Sequence, residues 1–113
     1  MLRRSMPLTL SIWHNLNSIS NIASSALRAF STSQQITANN VANLNTDGFK
    51  ASRATFQENQ TGGVTATASS TGDSVDFSRE AVSLISNARG FKANINVLKA
   101  TDEMTKQLLN IKA

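Results

Sequence analysis

The sequence predicts a mainly α protein in which two long antiparallel helices, one N-terminal and one C-terminal, pack together as in a coiled coil. Apolar and small residues recur every seven positions in the first part of the chain, and a second periodic stretch fills its last third. This spacing is typical of helices that share a seam. The segment between the two stretches is rich in Ser, Thr and Gly. A length of 113 residues suits a single domain, which we assign to residues 1–113.

The N-terminal helix is expected over residues 15–45, after a flexible N-terminus at residues 1–14. Two neighbouring series with seven-residue spacing support it: Leu16, Ala23, Phe30, Thr37 and Leu44, then Ser20, Leu27, Gln34 and Val41. Because Ala, Ser, Thr and Gln dilute these stripes, we expect weak stability for the isolated chain and a gain of helix with concentration. Asp47-Gly48 should end the helix, with Gly48 at positive φ.

The connector, residues 46–74, contains the motif turn and then a polar stretch punctuated by Gly62, Gly63 and Gly72. Small apolar residues alternate with threonines from Val64 to Ala68, which is compatible with a short β-hairpin. The other interpretation is a mobile loop. The lack of large apolar residues favours the loop slightly.

The C-terminal helix is expected over residues 75–113. Asp76 or Ser78 can cap its N-terminus, and Glu80 lies in the first turn, where the helix dipole favours a carboxylate. Gly90 costs about 1 kcal/mol relative to Ala inside a helix, so it indicates a tight contact or a local bend. The predicted seam follows Leu84, Ala88, Phe91, Ile95 and Leu98, and continues after a slip through Thr101, Met104, Leu108 and Ile111.

Composition argues against catalysis, cofactor binding and nucleic-acid binding. The net charge of +4 comes from 11 basic and 7 acidic residues that are scattered rather than clustered with aromatics. Cysteine is absent, His14 is the single histidine, and the carboxylates lack metal-ligand spacing. We therefore predict no enzyme activity, no cofactor and no metal. No segment has the length of a membrane-spanning helix, and the N-terminus lacks a clean cleavage pattern for a signal peptide.

Three asparagines near the end of the first helix, Asn39, Asn40 and Asn43, form the most informative cluster. Asn is a poor helix former, so either this is a solvated helix end or the amides hydrogen-bond across helices. On the second interpretation, replacing Asn40 and Asn43 by Ala should leave monomer folding nearly unchanged and reduce assembly.

The segment from Thr37 to Lys50 resembles the N-terminal motif of the flagellar axial proteins, the family of rod, hook and hook-associated subunits. The matching residues are Ala38, Asn39, Asn40, Ala42, Asn43, Thr46, Gly48, Phe49 and Lys50. The last third of the chain resembles the C-terminal segment of the rod and hook subunits. The matching residues there are Val75, Asp76, Glu80, Arg89, Phe91, Ala93 and Asn94. The short length is most similar to the small proximal rod proteins, of the C type.

The resemblance implies a structural subunit of the bacterial flagellar basal-body rod that assembles through its terminal helices into a helical tube. It also implies export by the flagellar type III apparatus without signal cleavage, and rod or axial subunits, including further copies of itself, as partners. Two alternatives stay open: a rod-associated adaptor, and a stand-alone paralogue that forms a helical-hairpin oligomer with a non-flagellar binding role. The residues assigned to subunit interaction are Asn39, Asn40, Asn43, Thr46, Gly48, Phe49, Glu80, Arg89, Phe91 and Asn94.

Overall fold

Two long antiparallel helices flank a two-stranded sheet in the computed structural model, which describes residues 8–112. The element order is α1 (Leu8–Ala42), β1 (Ser52–Glu58), β2 (Val64–Ser70) and α2 (Phe77–Lys112). The predicted fold class is therefore confirmed.

The first helix begins earlier than predicted. Residues 8–14, expected to be flexible, are helical, while residues 1–7 of that segment lie outside the described residues. Neither Gly nor Pro occurs from residue 8 to residue 42, so nothing in the sequence stops the helix from extending toward its N-terminus. The helix ends at Ala42, and Gly48 has a φ of 75°, as expected for the turn that redirects the chain.

The second helix begins at Phe77, two residues later than predicted, because Asp76 is its N-cap. One carboxylate oxygen of Asp76, Oδ1, accepts hydrogen bonds from the backbone N–H groups of Ser78, at 3.0 Å, and Arg79, at 3.4 Å. These bonds satisfy donors that have no partner inside a helix. Of the two predicted caps, the structure selects Asp76.

The connector forms an antiparallel β-hairpin, so the mobile-loop interpretation is wrong. The register runs from Ser52 opposite Ser70 to Glu58 opposite Val64. Few large apolar residues are needed because the hairpin lies on α1, where hydrogen bonds and the contact of Phe56 with Phe30 hold it. At its tip, the Ser25 hydroxyl accepts a bond from the Val64 N–H at 3.0 Å, while Gly62 and Gly63 turn the chain at positive φ.

The contact line of α2 against α1 is more polar than predicted. A series with seven-residue spacing contains the four buried residues described in α2, Glu80, Asn87, Thr101 and Leu108, together with the half-buried Asn94. In the predicted seam Leu84, Ile95 and Leu98 are half-buried, but Ala88 and Phe91 are exposed. The continuation of the predicted seam is correct at Thr101 and Leu108, which are buried, and wrong at Met104 and Ile111, which are exposed. Periodicity of apolar residues missed Glu80, Asn87 and Asn94 because these positions of the line are polar.

The backbone of α2 at Gly90 lies directly against the Phe30 side chain of α1. A Cβ atom at this position would lie within 3.0 Å of three atoms of the Phe30 ring. The ring also meets Phe56 of β1 edge to face, with centroids 5.3 Å apart. Of the two interpretations of Gly90, a tight contact is therefore correct. The glycine makes room for the Phe30 ring of α1, which contacts both α2 and β1.

The molecule is long and thin, with extents of 67 × 33 × 14 Å. Its smallest dimension is little more than one helix diameter of about 10–12 Å. The radius of gyration is 19.6 Å, against about 13 Å for a compact domain of this length. The accessible surface is 8271 Å², against about 6,000 Å² for a compact monomer of this mass. The chain alone therefore leaves much surface uncovered.

Large apolar side chains are exposed along the whole molecule, including Phe56, Phe77, Val82, Ile85 and Phe91, but more of them lie in the half that the hairpin leaves open. The hairpin covers α1 from Ser25 to Asn40. We define the hairpin half as α1 residues 24–42, both strands and α2 residues 77–94. The open half comprises α1 residues 8–23 and α2 residues 95–112. Large apolar side chains exposed in the open half are Leu8, Leu10, Ile12, Ile19, Ile22, Val97, Met104, Leu109 and Ile111.

Candidate assembly interface

Asn40 is the centre of the hydrogen-bond network at the end of α1. Its side chain is 1% exposed. The amide nitrogen donates to the Ser52 carbonyl oxygen at 2.7 Å and to Glu80 Oε1 at 3.1 Å, and the amide oxygen accepts from the Ser52 N–H at 2.9 Å. One side chain thus ties together α1, the start of β1 and the first turn of α2.

Glu80 is the partner of Asn40 on α2 and is itself 6% exposed. A buried carboxylate is costly unless it is hydrogen-bonded. Within residues 8–112 it forms no ion pair, so the bond from Asn40 is the contact that compensates its burial. The two segments that resemble axial proteins therefore meet inside one chain, at Asn40 and Glu80.

The other two asparagines of the cluster, Asn39 and Asn43, form only local hydrogen bonds. The Asn43 amide nitrogen donates to the backbone oxygen of Asn39 at 2.9 Å and to its side-chain oxygen at 3.3 Å, and Asn43 Oδ1 accepts from the Thr46 hydroxyl at 3.2 Å. Asn39 and Thr46 are exposed, and Asn43 is half-buried. These bonds cap the last carbonyl groups of α1.

This arrangement corrects one expectation. Asn40 is fully engaged within the monomer, so Asn40→Ala cannot leave monomer folding unchanged. The three asparagines could not be distinguished from the sequence, because helical spacing alone does not reveal which of them faces the hairpin.

The remaining predicted site residues do not join the Asn40 network. Gly48 is exposed, and Phe49 beside it is half-buried. Further along α2, Arg89 and Phe91 are exposed, and Asn94 donates its amide to the Gly90 carbonyl at 2.9 Å. Arg89 lies nine residues beyond Glu80, or about 14 Å along the helix. The predicted site residues therefore fall into four groups. They are the network of Asn40 and Glu80, the helix end with Asn39, Asn43 and Thr46, the turn with Gly48 and Phe49, and the separate α2 positions Arg89, Phe91 and Asn94.

A second polar contact between the helices was not predicted. The Ser33 hydroxyl donates to Asn87 Oδ1 at 2.9 Å, and both residues are buried. Ser33 precedes Asn40 by seven residues, and Asn87 follows Glu80 by seven, so the two contacts lie one above the other along the antiparallel pair. Polar residues repeated at this spacing in both helices are the signal that could have revealed them.

A cleft of about 310 Å³ opens beside this contact. Its apolar walls come from Phe30, Ala88 and Phe91, and its polar lining from Ser31, Gln34 and Asn87. Two buried atoms of this lining, Gln34 Oε1 and Asn87 Nδ2, have no hydrogen-bond partner within the described residues.

Ion pairs between side chains contribute little to the described structure. The ion pair between Lys106 and Asp102, at 3.2 Å, joins two exposed residues one turn apart. Its hydrogen bond to Asp102 raises the pKa of Lys106 above the ordinary value. Among residues 8–112 no three His, Asp or Glu side chains lie close enough together to hold a metal ion. Neither described helix contains a segment long and apolar enough to cross a membrane.

Two protein-family models match the chain, one on each side of the hairpin. Residues 21–50 match the family described as Flagella basal body rod protein. Residues 72–111 match the family described as Flagellar basal body rod FlgEFG protein C-terminal. Together these matches cover more than half of the chain. The chain belongs to the flagellar basal body rod protein family.

Both halves of the Asn40–Glu80 contact lie within the matched segments of this rod protein, whereas the unmatched residues 51–71 contain the hairpin. No individual curated protein sequence matches the chain significantly. Family membership identifies a structural component of the rod and associates it with the flagellar basal body.

Proposed function

We propose that this rod protein is an axial subunit whose open half is completed by neighbouring subunits in a helical tube. Neighbours of the same family, including further copies of this chain, are the proposed partners. The proposal includes export through the flagellar apparatus without signal cleavage, and it includes no catalytic activity.

The observation that carries this proposal is the exposed apolar surface of the open half. In the hairpin half Phe30 of α1 has a second neighbour in Phe56 of the hairpin. Of the described residues in the open half, only Ile22 lies beside the hairpin, at Gly62. Met104 and Ile111 are 50% and 80% exposed although they follow one another at seven-residue spacing on α2. A helix with apolar residues on several sides is typical of a helix buried among others.

The amount of uncovered surface also supports the proposal. The chain exposes roughly 2,000 Å² more than a compact monomer of its mass would, which is of the order that obligate interfaces bury. Because the exposed groups lie on several sides of a thin molecule, contacts with more than one neighbour are needed to cover them. Contacts between different surfaces of identical or similar subunits generate open helical assemblies.

We also propose a place among the small proximal rod proteins, such as those of the C type. Only a two-stranded hairpin and its flanking turns separate the two helices. The subunit therefore presents no large outer domain between its helices.

The experiment is to purify basal bodies from cells that express the tagged chain. We expect the wild-type chain to co-purify with the rod, and Met104→Lys to be depleted from the rod fraction because it places a charge in the apolar surface. Thr55→Lys, on an exposed position of β1, makes the same change in net charge and should incorporate normally.

Absence of the wild-type chain from basal bodies would contradict the rod function and favour the stand-alone oligomer. Presence at a substoichiometric level relative to the rod subunits would favour the adaptor. Normal incorporation of Met104→Lys would show that the open half is not the assembly surface.

A further inference from the structure

We propose that the free edge of β2 pairs with the free edge of β1 of a second copy, so that the hairpins of successive copies join into one sheet. The proposal rests on the proposed function, because it names a contact between two neighbours in that assembly. The contact involves residues 51–71, which neither family model covers.

The backbone groups of the hairpin alternate between inward and outward directions. At the tip, the Asn59 N–H donates to the Gly63 carbonyl at 3.0 Å. The register continues this pairing into the strands, so odd-numbered residues bond between β1 and β2. In an antiparallel pair, the residues between them direct their N–H and C=O groups away from the partner strand. The even-numbered residues therefore form the two edges of the hairpin.

Helix α1 blocks one end of each edge. The Asn40 carboxamide binds both backbone groups of Ser52 at the start of β1. The Ser25 hydroxyl binds the Val64 N–H at the start of β2. Each edge keeps three outward-facing residues whose backbone groups form no hydrogen bond within residues 8–112. They are Ala54, Phe56 and Glu58 on β1, and Ala66, Ala68 and Ser70 on β2.

The free part of the β2 edge has no protection against a further strand. It contains neither a charged residue nor a proline, whereas exposed edges in native proteins usually carry such residues or are covered. Ala68 and Ser70 are exposed, so another strand can reach their backbone groups. An edge of this kind binds an extended segment through main-chain hydrogen bonds.

A polar cleft of about 140 Å³ lies beside this edge and favours one kind of strand. Helix α1 contributes Arg28 and Thr32 to its lining, and β2 contributes Ala66. Arg28 is exposed and is the single charged residue of α1 other than the titratable His14. It forms no ion pair within residues 8–112. A strand that carries a carboxylate opposite Ala66 is therefore complementary in charge to this cleft.

Strand β1 of a second copy has this carboxylate. When residues 54–58 of that copy align antiparallel with residues 66–70 of β2, the outward-facing groups of the two edges meet, and Glu58 lies opposite Ala66. Directly opposite residues have their side chains on the same face of a sheet. Glu58, which is exposed and forms no ion pair within the described chain, then lies beside Arg28.

The contact joins two different surfaces of the chain, so it is heterologous and can repeat from copy to copy. Adding one hairpin shifts the next copy by two strands, or about 9.6 Å. This distance falls within the range of about 8–10 Å at which helix axes pack. Copies joined through their hairpins can therefore also bring their helices into contact.

The first test uses Ala68→Pro, which removes an outward-facing N–H and leaves the bonds between β1 and β2 intact. Sedimentation equilibrium of the full chain measures self-association, and thermal unfolding of the dilute chain measures monomer stability. We expect association to weaken about tenfold with an unchanged midpoint. The matched control is Ala68→Thr, which also enlarges the side chain but keeps the N–H, and it should associate like the wild type.

The second test exchanges the charges of the proposed ion pair. Arg28→Glu places two carboxylates in each contact, and Glu58→Arg places two cations there. Each variant alone should associate about fivefold more weakly than the wild type at low salt. In an equal mixture of the two variants, every contact between unlike copies again joins a cation to a carboxylate, so the mixture should recover most of the wild-type association. A pair formed within one chain would give no recovery.

Three results would overturn the inference. Wild-type association of Ala68→Pro would show that the β2 edge is not used. A mixture that associates no better than its two components would show that Arg28 and Glu58 do not meet, and this result does not depend on the proline variant. A wild-type chain that stays monomeric at all concentrations would rule out a second copy as the occupant. None of these results bears on co-purification with basal bodies, which tests the rod function independently.

Discussion

The two halves of this rod protein contain the same two helices but are stabilised in different ways. In the hairpin half, Asn40 and Ser33 bind across the helices, and the hairpin covers α1 from Ser25 onward. In the open half the buried side chains are few, chiefly Leu16 and Leu108, and most large apolar residues are exposed.

The difference indicates a division of roles. Hydrogen-bonded polar pairs fix the register of two helices, because a shifted register would leave buried groups without partners. The hairpin half therefore sets how the helices align. The open half contributes little to the stability of one chain and carries the apolar surface that association can bury.

The largest expected effect on the isolated chain is that of Asn40→Ala. It removes the partners of Glu80 and of both backbone groups of Ser52, so we expect a loss of about 2–4 kcal/mol in the free energy of unfolding. Asn39→Ala changes an exposed residue of the same type one position away, and should be neutral or slightly stabilising. Urea denaturation of both variants measures the difference. If both variants lose the same free energy of unfolding, Asn40 has no special role among the three asparagines.

The close approach at Gly90 should give the next largest effect. Gly90→Ala gains helix propensity but pushes a Cβ atom against the Phe30 ring, and we expect a net loss of about 1–3 kcal/mol from overpacking. Combining it with Phe30→Ala should cost less than the sum of the two single changes, because the clash is then absent. Strict additivity in this double-mutant cycle would contradict the contact.

The turn after α1 depends on backbone conformation rather than on space. A Cβ atom at Gly48 would meet nothing within 4 Å, but φ is +75°. Gly48→Val should therefore cost about 1–2 kcal/mol through the left-handed conformation, whereas Gly48→Asn should cost less because Asn tolerates it. If thermal denaturation gives the two variants the same stability, strain at this turn is not the cause.

Substitutions in the open half should have the smallest effect on the monomer. We expect Met104→Lys to change the unfolding free energy of the dilute chain by less than about 0.5 kcal/mol, as for other exposed positions. The same variant should lose the increase in helical circular dichroism that the wild type shows with concentration. A large loss of monomer stability would mean that the open half is already packed within one chain.

Helix positions and ends were largely predictable, because local signals determine them. Gly48 identified the turn from its residue type alone, whereas residue types narrowed the cap to Asp76 or Ser78 without choosing between them. The early start of α1 was missed because the apolar stretch from Leu8 to Ile12 is short and is interrupted by Thr9 and Ser11.

The polar contacts could be predicted only in part. The cluster of three asparagines was recognisable from the sequence. The special position of Asn40 depends on its hydrogen bonds to Ser52, and nothing in the sequence identifies Ser52 as its partner. The hairpin was underrated since its stability comes from bonds to Ser25 and Asn40 on another element rather than from its own side chains. The unpartnered atoms of Gln34 and Asn87 follow from packing geometry, for which the sequence has no local signal.

Hydrogen exchange of backbone amides, measured on the dilute chain and on the assembled protein, tests most directly whether neighbours complete the open half. In the dilute chain we expect strong protection around Ser33, Asn40 and Asn87, and rapid exchange over residues 8–23 and 95–112. Assembly should add protection mainly to those two rapidly exchanging segments. Strong protection of both halves in the dilute chain, or added protection confined to the hairpin half, would contradict the account.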